Sequence, residues 1–90
     1  MELLGRVQDK LITKDQTFTV EKSRGLFFKN LGGATVMIGI FPLKPYESIS
    51  YSSDSVTIDK QDIPISFLKD SGAETKLYVQ YTKVTGFNCD

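Results

Sequence analysis

Histidine and tryptophan are absent from this chain, and Cys89 is its one cysteine. Without histidine, the commonest general base and the commonest imidazole metal ligand are both missing. Serine is plentiful, but no Gly-x-Ser-x-Gly turn presents one and no imidazole could activate it. A single cysteine excludes an intramolecular disulfide, so Cys89 reads as a free thiol and the chain suits a reducing compartment. Net charge is missing too: 11 basic and 11 acidic side chains cancel. Nucleic-acid binders normally carry a basic excess, because phosphate neutralisation supplies much of their affinity. A neutral surface also lacks self-repulsion, which suits a protein that packs against partners or against copies of itself. No apolar run approaches the ~20 residues of a membrane span. The start, Met1-Glu2-Leu3-Leu4-Gly5-Arg6, lacks the basic and apolar regions of a signal peptide. Folding in a cytoplasm is therefore expected.

What is present points to one small β domain. The length of 90 residues fits a single domain, and 40% apolar residues is ordinary for a globular chain. Residues 1–15 stand apart as an N-terminal arm or first strand. Leu3, Leu4, Val7, Leu11 and Ile12 recur at i, i+4 and i+8, a spacing compatible with a short helix, although Gly5 weakens that reading. From Gln16 the period shifts towards two, and residues 16–88 read as a single antiparallel β-sandwich or barrel of about seven short strands. Thr17–Glu21 alternates, with Phe18 and Val20 on one face. Gly25–Leu31 and Ala34–Phe41 read as two strands of a hairpin turning at Gly32-Gly33, where glycine reaches positive φ without a steric penalty. Pro42–Glu47 is expected to be a loop, because two prolines deny a sheet its donors. Ser48–Ser52 and Val56–Ile58 are short strands. Ile63–Leu68 is an edge strand or begins near Pro64. Asp70–Glu74 turns, and Lys76–Val84 closes the fold. The expected core is Phe18, Val20, Leu26, Phe28, Val36, Ile38, Ile40, Ile49, Tyr51, Ile65, Phe67, Leu77, Val79 and Tyr81.

Four groups of residues invite a chemical reading. Asp54, Asp59 and Asp62 cluster around one short strand, but their spacing fits no calcium loop, and aspartates at turns ordinarily bond local backbone. Lysine acts as a catalytic base only when buried, and nothing singles one out. Gly32-Gly33 has neither the spacing nor the strand-to-helix context of a phosphate loop. Aromatics interleave with lysines from Phe27 to Lys83, a pattern a single-strand-binding barrel could use to stack bases, but the neutral charge opposes it. No catalytic residue, cofactor or metal is expected. Phe27 and Tyr78 fall on faces opposite the expected core, and aromatics there fit protein contacts. Together with Leu3, Leu4, Val7, Leu11 and Tyr46, they form the candidate interface set.

The stretch Lys29-Asn30-Leu31-Gly32-Gly33-Ala34-Thr35-Val36-Met37-Ile38-Gly39, continued by Pro42-Leu43-Lys44-Pro45-Tyr46-Glu47-Ser48-Ile49-Ser50, resembles small β-sandwich proteins of tailed phages and prophages. In those proteins a strand ending near Asn-Leu-Gly precedes one reading Ala-Thr-Val-x-Ile-Gly and a loop of the type Leu-x-Pro-Gly-Glu-Ser-Ile. The likeness covers the central third, with a looser match at Leu77-Tyr78-Val79-x-Tyr81, and departs at Tyr46, where the pattern has glycine. It implies a non-enzymatic virion component assembled in the host cytoplasm: a capsid decoration, head-fibre or tail-associated module. Its partners would be other virion proteins or copies of itself in a homo-oligomer, with no nucleic acid and no membrane. The alternative is a binding module for carbohydrate or a host-surface ligand that uses exposed tyrosines.

Overall fold

The computed structural model describes residues 2–53, 55, 57–68 and 73–88. Seven strands follow in chain order: β1 (Glu2–Ile12), β2 (Gln16–Asn30), β3 (Val36–Ile38), β4 (Phe41–Leu43), β5 (Ser48–Ser50), β6 (Ile58–Phe67) and β7 (Leu77–Asn88). All pair antiparallel in one open sheet of order β1-β7-β2-β6-β3-β4, with β5 added to β2. No helix occurs among the described residues, and the N-terminal segment, which has helical as well as strand spacing, pairs with β7 from Glu2 to Ile12.

One strand makes this sheet a two-layered body. Phe18 and Phe28 are ten residues apart in β2, a span of about 33 Å if the chain ran straight. Their ring centroids are 6.4 Å apart. The strand therefore doubles back between them. The corner lies at Lys22–Gly25, where Lys22 (φ 47°) and Gly25 (φ 61°) take left-handed backbone conformations. It is tied down by Gly25 N–H donating to Ser53 O (3.3 Å) and Leu26 N–H donating to Ser52 Oγ (2.8 Å). Before the corner, β2 pairs with β6. After it, β2 pairs with β7 on one edge and β5 on the other. The core lies between the layers. Phe18 meets Phe28 and Tyr81 edge to face, and Ile12, Leu26, Val36, Leu43, Ile63, Leu77 and Val79 are buried with them. The layers do not cover the whole molecule. β7 pairs with β2 only as far as Lys83, and from Val84 onward its one partner among the described residues is β1. This two-stranded ribbon lengthens the body to 56 × 19 × 17 Å, with a radius of gyration of 14.4 Å against about 12 Å for a compact chain of this size.

Several local expectations need correction. Residues 34–41 do not form one strand: they split into β3 and β4 around a two-residue turn at Gly39-Ile40, with Gly39 at φ 63°. Ile40 is consequently 95% exposed rather than a core residue. Glycine at the first position of a two-residue hairpin outweighs the alternation that runs through it. Gly32-Gly33 is not a hairpin turn, since β2 and β3 do not pair and neither glycine has a positive φ. Gly32 is needed for space: a Cβ there would lie 2.3 Å from Glu74 O and 2.8 Å from Lys76 N. Tyr51 is 41% exposed although its ring rests edge-on against Phe28, and Ile49 and Tyr81 are half-buried at the rim of the core. Pro42 lies within edge strand β4, opposite Met37, rather than in a loop. Val56 and residues 70–72 lie outside the described residues.

Candidate interaction surface

Antiparallel register aligns four of the seven candidate interface residues on one sheet face. Side chains alternate across a strand, and those directly opposite in neighbouring strands share a face. In the layer β1-β7-β2-β5 the inward positions are the buried Ile12, Leu77, Val79 and Phe28. The outward positions begin with the row Leu11, Tyr78, Lys29 and Ser48. The next row is Asp9, Gln80, Phe27 and Ser50, and Val7 opposite Thr82 follows. Leu11 thus stands directly beside Tyr78, and Phe27 is the diagonal neighbour of Tyr78. Val7 is 67% exposed and Leu11 48%, while Phe27 and Tyr78 are half-buried. Among the described residues no second layer covers this face. It is a mixed surface, with apolar groups set among Asp9, Lys29 and two glutamine or threonine side chains, and such a mixture is typical of non-obligate protein interfaces.

The remaining three candidates are placed differently. Leu3 and Leu4 lie in the ribbon opposite Phe87 and Gly86 in backbone register, and their side chains are not described. Tyr46 sits in the β4–β5 connection, 75% exposed, with φ 65°. That left-handed conformation, which glycine adopts without strain, occurs where the resemblance has glycine. Its N–H donates to Asn30 O at 2.8 Å, which fixes the loop beside the end of β2.

Asn30 is the polar hub of this junction and escaped the sequence reading. It is wholly buried. Its Nδ2 donates to Ala34 O (2.8 Å) and Leu43 O (3.0 Å), and its Oδ1 accepts from Gly32 N–H (3.0 Å). Its backbone N–H donates to Glu47 O (2.9 Å). One side chain therefore joins the end of β2, the entry to β3 and the exit of β4. The available signal was an asparagine closing a strand just before a Gly-Gly pair, where the side-chain amide can serve backbone that has left the ladder.

No chemical centre emerges beside this surface. Among the described residues no three His, Cys, Asp or Glu side chains converge on a common point. Asp59 and Asp62 are exposed, and Asp62 Oδ1 accepts from Thr19 Oγ1 across the β2–β6 ladder (2.7 Å). Asp54 lies outside the described residues. A cleft of about 180 Å³ opens where β2 and β7 part, lined by Thr19, Val20, Glu21, Ser23, Tyr81 and Lys83. It is smaller than the roughly 300–1,000 Å³ of ordinary ligand sites. Another, of about 460 Å³, lies at the end of the sandwich beside Thr13, Lys14, Asp15, Phe67 and Thr75. Two of its polar side chains serve the fold: Asp15 Oδ1 accepts from Phe67 N–H (2.9 Å), and Thr75 Oγ1 donates to Thr13 O (2.8 Å). Ile40 and Phe41 add an exposed apolar tip at the β3–β4 hairpin that the sequence had not marked as surface. No protein-family model matches the chain, and neither a curated protein nor a solved structure matches it.

Proposed function

We propose that this chain is a non-enzymatic structural subunit of a tailed-phage or prophage virion, a capsid decoration, head-fibre or tail-associated module working through repeated protein–protein contacts. The observation that carries the reading is the outward face of β1-β7-β2-β5, where Val7, Leu11, Phe27 and Tyr78 gather on a layer over which none of the described residues forms a second layer. A sheet face turned to water is ordinarily polar at these positions. The zero net charge removes one barrier to association, and the resemblance over residues 29–50 supplies the virion context. Sedimentation velocity of the full chain over a hundredfold range of concentration, together with co-sedimentation on phage heads and tails, tests the reading. Association or particle binding is expected, and a Leu11→Asp/Tyr78→Ser variant should lose it while still unfolding in one cooperative transition. A chain that stays monomeric at the highest concentration and binds no particle component refutes it, and a glycan panel then becomes the next assay.

A further inference from the structure

We propose that the open edge of β1 pairs with the same edge of a second copy, antiparallel about a two-fold axis at Val7. This inference rests on the assembly reading above and names its partner and its strand.

The two ends of the sheet are unlike. Proteins ordinarily blunt an edge strand by shortness, charged side chains, proline or a bulge, because a free row of N–H and C=O groups is a template for another strand. At one end, β4 has three residues, of which Pro42 lacks an N–H. At the other, β1 has eleven residues and no proline. Its register with β7 does shift, but Leu4 faces Gly86 and Gly5 faces Val84, so the extra residue, Thr85, belongs to β7 and β1 itself runs unbroken. The length and continuity that a strand-pairing edge needs are on β1 alone of these two ends.

Its charges then select the register. A two-fold axis perpendicular to the sheet pairs residues of the same face, so the axis must pass beside a single residue. Axes at Arg6, Asp9 or Lys10 set a charge against its own copy, and an axis at Gln8 sets Arg6 against Lys10. Like charges directly opposite are destabilising. Axes nearer either end of the strand leave at least four of its eleven positions without a partner. An axis at Val7 pairs the full length from Glu2 to Ile12 and sets Arg6 against Gln8 and Asp9 against Gly5, with no like charges opposed. It also covers Val7 with its own copy, the more exposed of the two outward β1 side chains described as large and apolar. The outward face of each copy then continues across the junction, so the edge pairing and the Leu11–Tyr78 row belong to one surface.

Cross-linking tests this register in the full chain carrying Cys89→Ser, so that the introduced thiol is the only one. Val7→Cys should give a covalent dimer on mild oxidation or with a short bismaleimide, because antiparallel partners lie about 4.5–5.5 Å apart. Leu11→Cys should not, since eight residues of offset place it roughly 27 Å from its own copy. In parallel, Val7→Lys should sediment as a monomer where the wild type associates, and should match its thermal melt at concentrations where both are monomeric, because the side chain is exposed in the single chain. Equal cross-linking at positions 7 and 11, or a Val7→Lys protein that still associates as the wild type does, overturns the inference. If the wild type associates while Val7→Cys fails to cross-link, this inference falls and the assembly reading stands. A wild type monomeric throughout and unable to bind particles removes both.

Discussion

Replacing Asn30 by aspartate keeps the shape of the buried hub and removes its donors. In the native chain, Nδ2 faces Ala34 O at 2.8 Å and Leu43 O at 3.0 Å. In the Asn30→Asp variant an oxygen stands there. Ionised, it opposes two carbonyl oxygens, and its charge is buried without a cation; an uncompensated buried charge costs about 3–5 kcal/mol. Protonated, it has one O–H for two carbonyls, and one acceptor loses its partner at about 1–3 kcal/mol. The folded state therefore favours the protonated form, and the introduced carboxyl titrates above the roughly 3.9 of an unfolded chain. The folded protein then binds more protons than the unfolded one between those two values, so stability falls as pH rises through that window. At pH 7 the deficit should be about 3–5 kcal/mol, a large share of the roughly 5–13 kcal/mol expected for 90 residues. At pH 4 it should shrink towards 1–3 kcal/mol. Asn30→Ala carries no titrating group and should lose about 2–4 kcal/mol at both pH values. Urea unfolding of the wild type and both variants at pH 4 and 7 measures this. A wild-type-like Asn30→Asp at pH 7, or a deficit that does not narrow on acidification relative to Asn30→Ala, would refute the hub.

Three further outcomes are expected. Gly32→Ala should destabilise by about 1–3 kcal/mol or more in a urea melt, since its Cβ would collide with backbone atoms of Glu74 and Lys76 rather than with a movable side chain. Ile38→Ala should lose about 2–5 kcal/mol, whereas Ile40→Ser, two residues away at the hairpin tip, should stay within about 0.5 kcal/mol of wild type; matched losses at the two positions would contradict the split of residues 34–41 into two strands. Tyr46→Gly should raise stability by up to about 1 kcal/mol, because the left-handed strain it relieves exceeds the backbone entropy that glycine costs; a fall in melting temperature would contradict the φ of 65°.

Alternation made most of the core legible, because a period of two needs only one correct residue to place its neighbours. Phe18, Val20, Phe28, Val36, Ile38, Ile65, Phe67, Leu77 and Val79 are all buried. It failed where the chain changed direction without losing its pattern. Val36, Ile38 and Ile40 alternate as a strand should, yet Gly39 turns the chain between the second and third. β2 shows the converse: Lys22 to Arg24 fall in a gap between two expected strands, and the structure runs β2 through them as a folded corner. Ile12, Leu43 and Ile63 were missed for another reason. Each is buried by a strand distant in sequence or by a layer whose order the pattern does not contain. Ile12 is covered only because β1 pairs with β7, 65 residues later at the Ile12–Leu77 position.

The interface residues were legible for a reason that also made their conformation ambiguous. Val7 and Leu11 are four apart. Four residues return a side chain to nearly the same face of a helix of period 3.6, and to the same face of a strand of period two. The spacing therefore marks a shared face without saying which element carries it. Ile12 separates the alternatives. On a helix it would lie about 100° from Leu11 and remain at the margin of the same apolar stripe. On a strand it must face the opposite way. In the structure Leu11 is 48% exposed and Ile12 is wholly buried, the alternation of a strand with one wet face. Tyr78 and Leu77, paired with Leu11 and Ile12 across β7, repeat that division. Two adjacent residues on each of two strands thus separate core from candidate surface, and they make Leu11 and Tyr78, rather than the more numerous buried aromatics, the side chains whose replacement should change association without changing the fold.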